Sequence, residues 1–260
     1  MIGWWGMFQG DFMRILVVEN DNLTVLGEVG EALAEAGAIL DRRRPAAGDN
    51  LPADETEHDA LVVMGGAQNA LDDAASPYLP ALVRLMRRFG DSGRSVLGIC
   101  LGSQLLARAY GGENRIGQAR DFGWCDVELT PEGKTDPVLS AAPAAFAIFQ
   151  WHDDTFTLPP GATRLANNDA ASNQAFRIGR AAYGTQFHFE ASTGVVDYWK
   201  TTFPDLIERR APGWLAQSMA LSDMHGPEAD ATGRALARAW VATIATGSRP
   251  ARMHEDAFKS

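Results

Sequence analysis

Two groups of residues in this chain have the types and spacing that covalent chemistry needs. The first is Cys100, held between Gly98 and Gly102 in Ser95-Val-Leu-Gly-Ile-Cys-Leu-Gly-Ser-Gln104. The second is His188 and Glu190, one residue apart at the end of the apolar stretch Ala181 to Phe187. A cysteine nucleophile needs a base to activate it and an acid for the group it displaces. A carboxylate beside a histidine fixes the ring's tautomer and stabilises the imidazolium. A structural hydrogen bond or a metal would use the same His and Glu, but no third ligand stands at a set spacing to support a metal site.

The elements around these residues must bring them together. Ser95 to Ile99 is a short apolar run suited to an interior strand, and Leu105, Leu106 and Ala109 share one face of a helix from Gln104 to Tyr110. Cys100 then falls on a sharp strand-to-helix turn, with two glycines giving room to a crowded backbone. A helix N-terminus presents unpaired N–H groups and partial positive charge, which favours a thiolate and aims the Leu101 N–H at a developing oxyanion. A free cysteine outside such a turn is most often a small buried hydrophobe. Cys125, in Phe122-Gly-Trp-Cys-Asp-Val-Glu-Leu129, is read as that case. On period-two spacing, His188 and Glu190 share one face of their strand.

Taken in order, the chain predicts a strand at Arg14 to Val18 and a helix capped by Asn22 or Thr24 that runs to Ala36. A strand follows at Ala38 to Asp41, then a loop holding Arg42-Arg-Arg44, read as solvated. The next strand, Ala60 to Met64, runs into Gly65-Gly66, whose glycine turn can aim an N–H of Gly66 at a neighbouring strand's nucleophile. Asp72 and Asp73 read as solvated or capping acids, and Pro77 to Phe89 as an amphipathic helix. This alternation predicts an α/β fold, a mostly parallel central sheet with helices on both faces. Short strands from Glu113 to Phe187 add hairpins at one side, with Trp151 and His152 leading into an Asp153-Asp154 loop. His152 reads equally as a substrate-side group or as a satisfied surface histidine. From Ser192 the pattern is helical, with one helix around Trp214 to Met219 and another at Thr232 to Ile244. The organisation expected is an N-terminal extension (1–12), an α/β domain (13–192) and a helical C-terminal appendage (193–260) packed on it, with a loose polar end.

The chain has 260 residues, 46% of them apolar, and a net charge of −10. The acidic balance argues against a general nucleic-acid binder. Two cysteines make no disulfide framework, which points to a reduced, cytoplasmic setting. No apolar run approaches the ~20 residues of a membrane span, and residues 1–12 lack a basic n-region. Met13 is read as the more natural start.

Gly98-Ile-Cys100-Leu-Gly102-Ser-Gln104, Gly184-Thr-Gln-Phe-His188-Phe-Glu190 and the upstream Met64-Gly65-Gly66 together resemble the class I glutamine amidotransferases, the Cys-His-Glu family. Trp151-His152-Asp153 followed by Pro159-Pro160-Gly161 is similar to stand-alone members related to the amidotransferase domain of GMP synthase. The chain departs from the family at Phe189, where proline is frequent, and at Ser103, where histidine is. The resemblance implies a flavodoxin-like sheet and a Cys100–His188–Glu190 triad. It further implies a γ-glutamyl pocket lined by Gln104, Trp151 and His152, and no cofactor or metal. The implied reaction is glutamine hydrolysis through a thioester, releasing ammonia. A γ-glutamyl peptidase acting on a larger substrate and a catalytically silent regulatory subunit are the alternatives. No nucleotide-binding loop of P-loop type follows, so a synthetase partner would be a separate polypeptide.

Overall fold

The computed structural model describes residues 12–21 and 24–245. The N-terminal extension, the Asn22 cap and the polar C-terminal end therefore fall outside the described residues, Phe12 excepted.

The elements run β1 (Arg14–Val18), α1 (Gly27–Glu35), β2 (Ile39–Arg43), β3 (Ala60–Val63), α2 (Leu79–Asp91), β4 (Ser95–Ile99), α3 (Leu101–Ala109), β5 (Asn114–Arg115), β6 (Asp121–Leu129), β7 (Ala145–His152), β8 (Thr155–Phe156), β9 (Thr163–Asn167), β10 (Ala175–Ile178), β11 (Ala182–Thr185), α4 (Thr193–Thr202), α5 (Pro204–Arg210) and α6 (Trp214–Val241). Nine strands form one sheet in the order β2-β1-β3-β4-β11-β10-β9-β6-β7, and β5 pairs with β8. The first five lie parallel to one another. The last four continue antiparallel from β11.

The apolar runs of β1, β3 and β4 are buried on both faces, as crossover helices require. Ile15, Val17, Val62, Leu97 and Ile99 point into one core with α1 and α6. Leu16, Val18, Leu61, Val63 and Val96 point into the other with α2 and α3. α2 shows how the faces are covered: Leu79, Leu82, Leu85, Met86 and Phe89 are all buried along one stripe. Each such side chain contributes about 1.5–3 kcal/mol when fully buried, and Pro80 in the first turn removes no intrahelical hydrogen bond.

Four expectations change. α1 starts at Gly27 without a side-chain cap, and Thr24 instead bonds Asp21. The three arginines are not simply solvated: Arg42 and Arg44 both bond the buried Glu19, and Arg43 bonds Asp41. Asp73 is paired with Arg108 of α3. Finally, the two expected C-terminal helices are one, because α6 runs unbroken through Pro227. An interior proline costs about 3 kcal/mol, which tertiary contacts on either side of it offset. Gly226 lies so near Thr193 that a Cβ would come within 2.3 Å of that side chain. Asp230 caps α4 by accepting from the Thr193 N–H and hydroxyl, both at 2.8 Å. Leu236, Ala237 and Trp240 complete the core under β1, β3 and β4.

Candidate active site

Cys100 sits between β4 and α3 with φ 52° and ψ −108°, and no other described residue except glycine has a positive φ. Such strain costs on the order of 1–3 kcal/mol and persists only where the surroundings enforce it. They do so here. A Cβ on Gly98 would lie 2.3 Å from the Gly102 carbonyl oxygen, and one on Gly102 would lie 2.1 Å from that of Val63. The helix therefore begins at Leu101, a turn earlier than its apolar spacing indicates. The Cys100 N–H donates to the Thr185 carbonyl at 2.8 Å, tying the elbow to the last residue of β11.

His188 and Glu190 follow that residue, but not on a strand. β11 ends at Thr185 because its partner β4 ends at the elbow. Beyond it the Gln186 N–H donates to Gln174 and the His188 N–H to Phe149. The period-two argument is thus corrected: a loop brings the two side chains together, with His188 Nδ1 and Glu190 Oε1 2.7 Å apart. Both residues are buried. The Glu190 carbonyl accepts from the Glu28 N–H at 3.0 Å, and Gly27, at φ 47°, leaves space there that a Cβ would close to 1.9 Å. On the other side of the same segment, a Cβ on Gly233 of α6 would lie 2.3 Å from the Phe189 carbonyl oxygen.

Burial alone would disfavour the imidazolium of His188. The Glu190 carboxylate foremost, and after it the Cys100 sulfur, outweigh it and hold the ring's pKa well above the ordinary histidine value. Nε2 makes no hydrogen bond of ordinary geometry among the described residues, and the Cys100 sulfur is the neighbour that acts on the ring beside Glu190. A Cβ on Gly65 would lie 3.3 Å from His188 Cε1 and 3.6 Å from Cys100 Cβ, so ring and thiol-bearing carbon flank the same bare backbone. Cys125 offers a contrast. Burial, reinforced by Asp121, pushes its thiol up to about 12, where it stays protonated and inert.

Cys100 lies where two cavities meet. One, of about 270 Å³, contains His188 and is walled by Val25, Trp199, Phe203 and Leu206. The other, of about 750 Å³, is bordered by Gln104, His152, Asp72, Arg120 and Arg209. Gly66 borders both and Leu101 the second, and a Cβ on Gly66 would come within 3.1 Å of the Leu101 side chain. Trp151 also borders both, and its carbonyl is 3.7 Å from the Cys100 sulfur. Gln104 is buried, its amide donating to Gln186 at 3.3 Å.

His152 is neither on a loop nor on the surface. β7 extends to it, pairing it with Asp121 of β6, and it is buried. Burial, with smaller contributions from His188 and Arg210, lowers its pKa to about 4 against the pull of Asp121, so it is neutral near pH 7. Its folded pKa lies below the unfolded value of about 6.5, so the unfolded chain binds the extra proton. Stability therefore falls as pH drops from about 6.5 to about 4. Over that window the wild type is expected to lose about 3 kcal/mol more than His152→Gln. Urea midpoints at several pH values measure this. His188, with a raised folded pKa, contributes stability below about 6.5 that is lost only as pH climbs through that raised pKa, above the window read here.

Sequence reasoning missed Arg210. Its guanidinium donates to the carbonyls of His152 and, at 3.0 Å, Asp121, and pairs with Asp153, pinning the ends of β6 and β7. Nothing local to α5 signals that contact. It also missed Gly27, and did not place Trp199 at the site. Among the described residues no group of three or more His, Cys, Asp or Glu is arranged to hold a metal ion, and no helix is long and apolar enough to cross a membrane.

A family model described as "Glutamine amidotransferase class-I" matches residues 29–199, a span that holds Cys100, His188 and Glu190. The chain belongs to the class I glutamine amidotransferases. It is 29% identical over 188 residues to the "Putative glutamine amidotransferase-like protein YfeJ" of Salmonella typhimurium, covering 71% of this chain and 79% of that one. It is 30% identical over 145 residues to "Gamma-glutamyl peptidase 5" of Arabidopsis thaliana, covering 53% of this chain and 55% of that protein's length. In three dimensions it is similar to a glutamine amidotransferase from Thermotoga maritima, with a TM-score of 0.80 and 26% identity over 89% of this chain and 98% of that one.

Proposed function

We propose that this chain hydrolyses a γ-glutamyl amide, glutamine or a larger compound, through a thioester on Cys100. The observation that carries this reading is a strained cysteine and a carboxylate-oriented imidazole bordering one cavity. The sulfur attacks the γ-carbonyl carbon. The N–H groups of Gly66 and Leu101 hold the oxyanion, about 3 kcal/mol per donor. The C–N bond breaks as His188, oriented by Glu190, gives its Nε2 proton to the leaving nitrogen. His188 then takes a proton from water as that water attacks the thioester, and glutamate leaves. The polar cavity, with Gln104, Trp151 and His152 on its wall, receives the glutamyl part.

Cys100→Ala is expected to lower glutamate release by at least about 10³-fold, and Cys125→Ala to leave it within twofold of wild type (roughly the noise expected for a residue away from the chemistry). Loss of turnover in Cys125→Ala with retention in Cys100→Ala would overturn the assignment.

A further inference from the structure

The two cavities that meet at Cys100 differ in character, and a γ-glutamyl amide differs in the same way across its scissile bond. The glutamyl half carries an α-carboxylate and an ammonium group, and the cavity of about 750 Å³ is bordered by polar and charged side chains on both signs. The cavity of about 270 Å³ lies on the other side, and of the two only this one is bordered by His188, the proton donor for the leaving nitrogen. The leaving group therefore departs into it.

Its walls are apolar and aromatic. The rings of His188 and Trp199 are 5.4 Å apart, Trp199 and Trp151 5.5 Å, and Trp151 and Phe203 6.0 Å, all edge to face, so one aromatic wall runs outward from the base. Val25 also lines it, and so does Leu206, which borders both cavities and is 44% exposed. Besides Cys100, His188 and the two indoles, the polar side chains on this wall are Thr24 and Asp21, bonded to each other, and Glu190, bonded to His188. Ammonia needs a void no larger than a water's share of volume, about 30 Å³, and gains nothing from an apolar lining.

We propose that this chamber is a leaving-group subsite, and that the chain prefers γ-glutamyl amides of apolar or aromatic amines over glutamine itself. The inference rests on the γ-glutamyl hydrolase reading above and specifies its substrate class. The reaction balances as that reading does: the amide C–N bond and one water are consumed, and glutamate and the protonated amine are released.

The test is kcat/KM of the purified chain for glutamine, for γ-glutamyl n-alkylamides from methyl to butyl, and for the benzylamide, read as glutamate, the product common to all. The expected result is a rise of roughly three- to fourfold for each methylene that enters the chamber. The benzylamide should exceed glutamine by at least about tenfold, the rise per methylene compounded over a ring. Val25→Phe puts a ring into the chamber and should cut the benzylamide-to-glutamine ratio by about tenfold. Leu206→Gln, at an exposed position where folding is not at stake, should move the ratio in the same direction. Glutamine turned over as well as or better than every alkylamide, with the ratio unmoved in both variants, would overturn the subsite and leave the hydrolase reading standing. Glutamate from none of these substrates would sink that reading together with the subsite.

Discussion

Glu190→Gln is expected to lower kcat for γ-glutamyl hydrolysis by about 10³- to 10⁴-fold, with little change in KM. The magnitude is that of removing the orienting carboxylate from a nucleophile–base–acid triad while keeping its shape. The carboxylate lies 2.7 Å from His188 Nδ1, and both groups are buried, so no solvent molecule takes its place at low cost. An amide there can present its N–H to Nδ1 and stabilise the wrong tautomer. The variant also removes the foremost group that offsets burial at His188. With Glu190 neutralised, desolvation gains the upper hand and the ring's pKa falls, so the imidazolium is lost at lower pH than in the wild type. NMR titration of the His188 ring reads this apart from turnover. An unshifted titration with kcat reduced less than tenfold (roughly 1.4 kcal/mol) would show that the carboxylate does not orient the base.

Gly27→Ala should damage stability and catalysis together. The new methyl would sit 1.9 Å from the Glu190 carbonyl oxygen, a backbone atom that has no rotamer to escape into, at a φ of 47°. The conformational and steric costs together come to about 2–4 kcal/mol, a fall in Tm of about 5–10 °C. Relief of the clash moves Glu190 away from His188, so kcat/KM falls too. Gly37→Ala is the control: φ is 68° there, but nothing lies within 4 Å of the added Cβ. It should cost about 1 kcal/mol and leave kcat/KM unchanged. Equal Tm losses in the two variants would show that the contact with Glu190 carries no energy.

What the sequence disclosed follows from how far apart the interacting residues are. β1 and β4 fall where their apolar runs end, since a strand buried on both faces needs only its own residues to announce it. The elbow was legible for the same reason: Gly98, Cys100 and Gly102 constrain one another within five positions. His188 and Glu190 were found as a pair although their geometry was misjudged, because the end of β11 is set by β4, some 85 residues earlier. The start of α1 depends on a carbonyl at residue 190, and the continuity of α6 through Pro227 depends on Thr193. Local propensity contains neither fact. The aromatic wall of Trp151, Trp199 and Phe203 is of the same kind, since each ring alone reads as ordinary core.

The backbone at Phe189 and Glu190 is gripped by Gly233 from one helix and Gly27 from another, residues 206 positions apart in the chain. A chain cut short of residue 233 would keep Cys100 and His188 yet lose one of the two helices that seat the Glu190 backbone.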